Sequence, residues 1–169
     1  MTVSLYNASV PVFKQMLGSI ASVLTKAQVH CAEKKIDPTA LLQARLFPDM
    51  FPLTRQLQIA CGHARGAAAR LTGQDIPGND DKEQGFDDLL ALINRTVVYL
   101  DSVTPAQFEG GESREIVLRP GTPNEKRLSG ENFLLHFSIP QFFFHVTTTY
   151  AILRHNGLEV GKRDYMGVY

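Results

Sequence analysis

The stretch from Phe133 to Leu153 constrains the fold most, because its apolar side chains do not keep to one side of a helix. At about 100° per residue, Phe133, Leu135, Phe137, Ile139, Phe142, Phe143, Phe144, Val146, Ala151 and Leu153 point in many directions around the axis. A helix that is apolar around most of its circumference is buried on most sides. Ser129-Gly130-Glu131-Asn132 caps its start, and Asn156-Gly157 stops it, with Arg154 and His155 in the last turn where cations suit the helix dipole. Pro140 lies inside the segment and predicts a kink that frees a carbonyl near His136 or Phe137.

Three further helical segments can surround it. Ser9-Val10-Pro11 reads as a helix start, and Val12, Met16, Ile20, Val23, Leu24 and Ala27 follow at helical spacing, which predicts a first long helix from about Val10 to Lys35. Asp37-Pro38-Thr39 caps a short connecting helix through Arg45, ended by Phe47-Pro48. A second long helix begins near Pro52, carries Leu53, Leu57, Ala60, Ala64, Ala68 and Leu71 in register, and stops at Gly73. Its small residues, Gly62, Ala64, Gly66, Ala67, Ala68 and Ala69, suit close packing against a neighbouring helix. After a turn-rich loop from Gly73 to Asp81, Phe86, Leu89, Leu90, Leu92, Ile93, Val97 and Leu100 mark a third helix to about Val103, and Thr104-Pro105 caps one further turn. Glu115 to Leu118 is strand-like, Pro120 to Asn124 is a turn, and Lys126 to Leu128 can return, so a small β-hairpin or irregular loop is expected before the last long helix. The expected architecture is all-α: four long helices with short connecting helices, in one domain over residues 1–169.

Seventeen basic and seventeen acidic residues cancel, leaving no overall field to attract nucleic acid or an anionic membrane surface. No stretch reaches the roughly 18 apolar residues of a membrane span, and no signal region is visible, so a cytoplasmic location is expected. Cys31 and Cys61 are too few for a disulfide framework and read as reduced, buried thiols, with a catalytic thiolate as the alternative. There is no glycine-rich phosphate loop, no G-x-S-x-G elbow, no H-E-x-x-H and no Glu-x-x-His pair.

One polar stripe interrupts the apolar last helix. Ser138, Gln141, His145, Thr148 and Thr149 fall on one side of it, every member neutral or a histidine, where a solvated face would carry Lys and Glu. The stripe is either a solvated face or the lining of an internal pocket for a small-molecule ligand, since buried polar groups must find partners. His145 is the chemical candidate, because a neutral imidazole can hold a metal or a proton near neutral pH. His136 lies about 180° around the helix from it and cannot share an ion with it. His63, on the second long helix, can face His145 across the bundle or sit at the surface rim.

Val10-Pro11-Val12-Phe13, the run from Ala44 to Leu53, the run from Phe143 to Gly157 and Gly161-Lys162-Arg163-Asp164-Tyr165 resemble the bacterial domain-of-unknown-function family 1993, over nearly the whole chain. That family is grouped with the DinB/YfiT-like metalloenzymes. The resemblance implies a four-helix bundle, a homodimer, and a divalent metal such as Zn, Ni or Fe held by three histidines; some relatives are thiol-dependent transferases. Two ligands of that pattern lie four residues apart on the last long helix and a third lies on the second. Carried over by residue, His145 matches one position, Gln141 stands at its partner, and the third falls near Ile59 with His63 one turn later. The expectation is a bundle with a polar pocket around His145 and a degraded metal site, with a metal-dependent enzyme or thiol-dependent transferase as the alternative.

Overall fold

The computed structural model describes residues 3–169. Four long helices, α1 (Leu5–Lys34), α3 (Leu53–Thr72), α4 (Phe86–Ser102) and α6 (Ile139–His155), enclose one contiguous apolar core that includes Phe13, Leu24, Leu57, Leu89, Phe133 and Phe142. The expected all-α bundle is what the chain forms. Short helices α2 (Pro38–Leu42), α5 (Gly130–Phe133) and α7 (Lys162–Met166) and a 3-10 turn (Pro105–Phe108) connect or trim it.

Helix α1 starts five residues earlier than the spacing predicts. The Ser4 side chain accepts a hydrogen bond from the Asn7 N–H at 3.2 Å and caps it there, so Pro11 lies inside the helix instead of opening it. The carbonyl that Pro11 leaves without a helical donor belongs to Asn7, an exposed residue, so the proline sits where the lost hydrogen bond is least costly. Helix α2 is shorter than expected because the chain turns away after Leu42, whose carbonyl accepts from Thr54 Oγ1 at 3.1 Å. Helix α3 runs as predicted to Gly73, which adopts the left-handed conformation (φ 72°) that only glycine takes without strain.

The hairpin is present: β1 (Glu115–Leu118) pairs antiparallel with β2 (Lys126–Ser129), with Ile116 opposite Leu128 and Leu118 opposite Lys126. It is fastened to the bundle by two glycines. A side chain on Gly130 would collide with the Gly111 carbonyl and Leu71, and one on Gly111 would meet the Leu71 and Phe108 carbonyls at 2.8 Å.

The kink predicted at Pro140 takes the form of a π-helical segment, Leu134–Ser138, between α5 and α6. Pro140 cannot donate to His136, and the Ile139 N–H reaches back five residues to the Leu134 carbonyl. The wider turn spreads the cost of the proline without breaking the helix.

Helix α3 packs most extensively against α6, across Ala64, Ala67 and Ala68, all of which are buried. Ala64, Ala67 and Ala68 therefore serve the packing of the bundle itself. After α6 the chain is not a loose tail: α7 returns to α1, where Gln15 Nε2 donates to the Met166 carbonyl at 2.9 Å and Lys26 pairs with Asp164. Tyr165 packs edge-on against Tyr150, with ring centroids 5.4 Å apart, and its hydroxyl lies 2.8 Å from Thr147 Oγ1. Among the described residues, no helix is long and apolar enough to cross a membrane.

Candidate functional site

All of the polar stripe except the half-buried Gln141 is buried: Ser138 and Thr149 are fully enclosed and His145 is only 7% exposed. A solvated face is therefore excluded, and each hydroxyl needs a partner. Thr148 Oγ1 donates to the Phe144 carbonyl (2.7 Å) and Thr149 Oγ1 to the His145 carbonyl (2.9 Å), one helical turn back. These threonines satisfy themselves within α6. Ser138 Oγ, at the end of the π segment, is buried without a partner.

His145 reaches across to α3. Its Nδ1 lies 2.7 Å from Gln56 Oε1, and the Gln56 amide is oriented by its own Nε2, which donates to the Phe51 carbonyl at 3.0 Å. An amide oxygen only accepts, so Nδ1 carries the proton and Nε2 keeps its lone pair. The His145 ring lies nearly parallel to that of His63, with planes 14° apart and centroids separated by 5.9 Å, and Phe137 meets His63 edge-on. Burial holds both imidazoles in the neutral form. His63 is pushed down to about 4 by desolvation, to which the repulsion a second proton on His145 would bring and the Arg70 charge add, and His145 is lowered by desolvation and then by Arg55.

His63 and Gln141 open onto a cavity of about 700 Å³ between α3, the Phe133–Phe137 segment, the β-hairpin and the loop before α4. Its floor is apolar, formed by Ile59, Leu118, Phe133 and Phe137. His145 stands behind His63, and Ser138, Thr148 and Thr149 do not line the cavity. The stripe read from the sequence thus divides into a wall residue (Gln141), a residue that supports the wall (His145), two threonines that bond only within the helix and the unpartnered Ser138.

The sequence pattern did not single out the rest of the wall. Helix α3 contributes Arg55, Arg65 and Arg70, the hairpin Arg119 and Lys126, and the loop Asn79 and Asp81. A signal for the α3 arginines exists: Leu53–Thr72 contains three arginines and no carboxylate, so none can be paired within its own helix. The hairpin residues come from a segment whose place against α3 only the tertiary fold determines.

A three-histidine metal centre does not fit these residues. Among the described residues, no group of three or more His, Cys, Asp or Glu side chains converges. Gln56 Oε1, the nearest amide oxygen, is already engaged by His145. Neither cysteine offers a thiolate: both are buried, burial pushes Cys61 up to about 12, and it raises Cys31 as well.

The family model for the domain of unknown function DUF1993 matches residues 5–166. A crystal structure of a DinB family member protein from Shewanella denitrificans is similar to this chain at 40% sequence identity, over 98% of this chain and 93% of that one, with a TM-score of 0.92. No curated protein matches the chain.

Proposed function

Since the chain belongs to the DUF1993 family of DinB-like helical bundles, we propose that it is a small-molecule-binding protein in which a neutral His63–His145 pair occupies the place of a metal centre. The observation that carries this reading is the 2.7 Å contact of His145 Nδ1 with Gln56. It holds the buried imidazole in one tautomer and orientation, which is what a preorganised hydrogen-bonding site requires and what an exposed histidine lacks. Burial keeps both rings uncharged at neutral pH, so the wall at His63 and Gln141 exchanges hydrogen bonds without carrying charge. The cavity volume of about 700 Å³ suits a drug-sized organic molecule.

Elemental analysis of protein prepared without a tag or chelator, beside His145→Ala and His63→Ala, separates this from the metal-dependent alternative. Sub-stoichiometric zinc, nickel and iron in all three is expected. A stoichiometric metal lost in both variants would overturn the reading. A fragment screen by amide NMR should then perturb Ile59, Gly62, His63 and Gln141 together, and no fragment doing so would count equally against it.

A further inference from the structure

Five cationic side chains, Arg55, Arg65, Arg70, Arg119 and Lys126, line the cavity with a single carboxylate, Asp81, in a protein whose basic and acidic residues balance at 17 each. Asp81 is engaged by Arg55. Among the described residues, Arg65, Arg70, Arg119 and Lys126 have no carboxylate within ion-pair distance; Asp81 lies near enough to feel the Arg65 charge without touching it.

Arg65 is the decisive member. It is 7% exposed, its Nη1 donates to the hydroxyl of Thr96 at 2.9 Å, and its Nε has no partner. Thr96 Oγ1 in turn donates to the Leu92 carbonyl, so among the described residues the guanidinium's one hydrogen-bond partner is a neutral hydroxyl. A guanidinium withdrawn from water with no carboxylate in contact is unfavourable until an anion completes it. Two neighbours are held in place at some cost as well. Arg70 folds back over Gly66, where a β-carbon would strike it, donates to the Gly66 carbonyl and lies 5.9 Å above the Phe133 ring. Arg119 adopts a left-handed backbone (φ 51°) that a non-glycine residue takes only under constraint, and this sets its side chain on the cavity rim.

We infer that the cavity is a site for an organic anion, with a carboxylate or phosphate group on Arg65, Arg70 and Arg119 and an apolar body against Ile59, Phe133 and Phe137. The inference rests on the small-molecule reading above and specifies its ligand class. A cavity of about 700 Å³ is much larger than an inorganic anion, and its apolar floor offers that anion nothing, which is why the ligand is organic. Guanidinium groups match the planar, two-oxygen edge of carboxylate and phosphate.

The test is calorimetric titration at low ionic strength with phenyl phosphate, benzoate and, as a neutral counterpart, benzyl alcohol. Either anion should bind at least tenfold tighter than benzyl alcohol, and Arg65→Gln and Arg119→Gln should each abolish that difference. Arg119 is exposed, so its variant remains informative if Arg65→Gln fails to fold. Arg127→Gln, which removes an exposed hairpin cation paired with Glu115 and Glu125, should leave the difference intact. A preference for phenyl phosphate identifies phosphate esters, and one for benzoate identifies carboxylates. Equal affinity for the neutral and anionic probes overturns the anion inference while leaving the small-molecule reading in place. No binding of any probe overturns both.

Discussion

At the scale of single residues, His63 couples the cavity to proton concentration. Its folded-state pKa of about 4 lies below the ordinary 6.5, so between these values the unfolded chain binds a proton that the folded chain refuses. The associated stability is fully present above pH 6.5 and is lost as pH falls toward 4, by about 2 kcal/mol after allowance for the ring's partial exposure. Urea denaturation across that range should show this slope, and His63→Gln should flatten it. A variant with the wild-type slope would place the protonation elsewhere. The lowered pKa of His145 acts in the same direction and would account for any slope that remains. His145 was readable from the sequence because it is the single ionisable group in a neutral stripe. Its contact with Gln56 was not, because the partners lie 89 residues apart and nothing local ties them.

At the scale of elements, the π segment explains both a success and a failure of periodicity. Spacing placed His145 and Thr149 on a common buried side, because α6 itself is regular from Ile139 onward. Before it, the five-residue reach of the Ile139 N–H changes the phase, so angles counted across Leu134–Ser138 no longer apply. Ser138 is where that irregularity leaves a buried hydroxyl unpartnered. Replacing it with alanine should be neutral or stabilising by up to about 1 kcal/mol, since no hydrogen bond is lost and an unsatisfied group is removed. A loss of more than about 1 kcal/mol in chemical denaturation would mean that the hydroxyl has a partner in solution. The long helices were legible because their cores follow a single period and their ends carry stops such as Gly73. The start of α1 was misplaced because a proline in the first turn and a proline further inside share the same local pattern, and the cap at Ser4 decided between them.

At the scale of the whole molecule, balanced charge conceals an uneven distribution. Neither α3 nor α6 contains an aspartate or glutamate, and the acidic residues that neutralise the chain lie on other elements, so overall neutrality excludes a long-range field but not a basic cavity. The fold is closed by contacts between segments far apart in sequence, of which α7 against α1 is the extreme. Deleting residues 161–169 should cost about 2 kcal/mol, the order of one aromatic side chain's burial, through loss of the Tyr165 packing and of the Gln15 and Lys26 contacts. Thermal unfolding of the truncated chain checks this, and an unchanged midpoint would show α7 to be peripheral. The partners joined by that helix are 151 and 138 residues apart, which has a consequence during synthesis. When α1 leaves the ribosome, the segment that will cover this side of it has yet to be translated. The surface around Gln15 stays uncovered until the 151-residue span to Met166 has been made, and covering it carries the entropic cost of closing that loop.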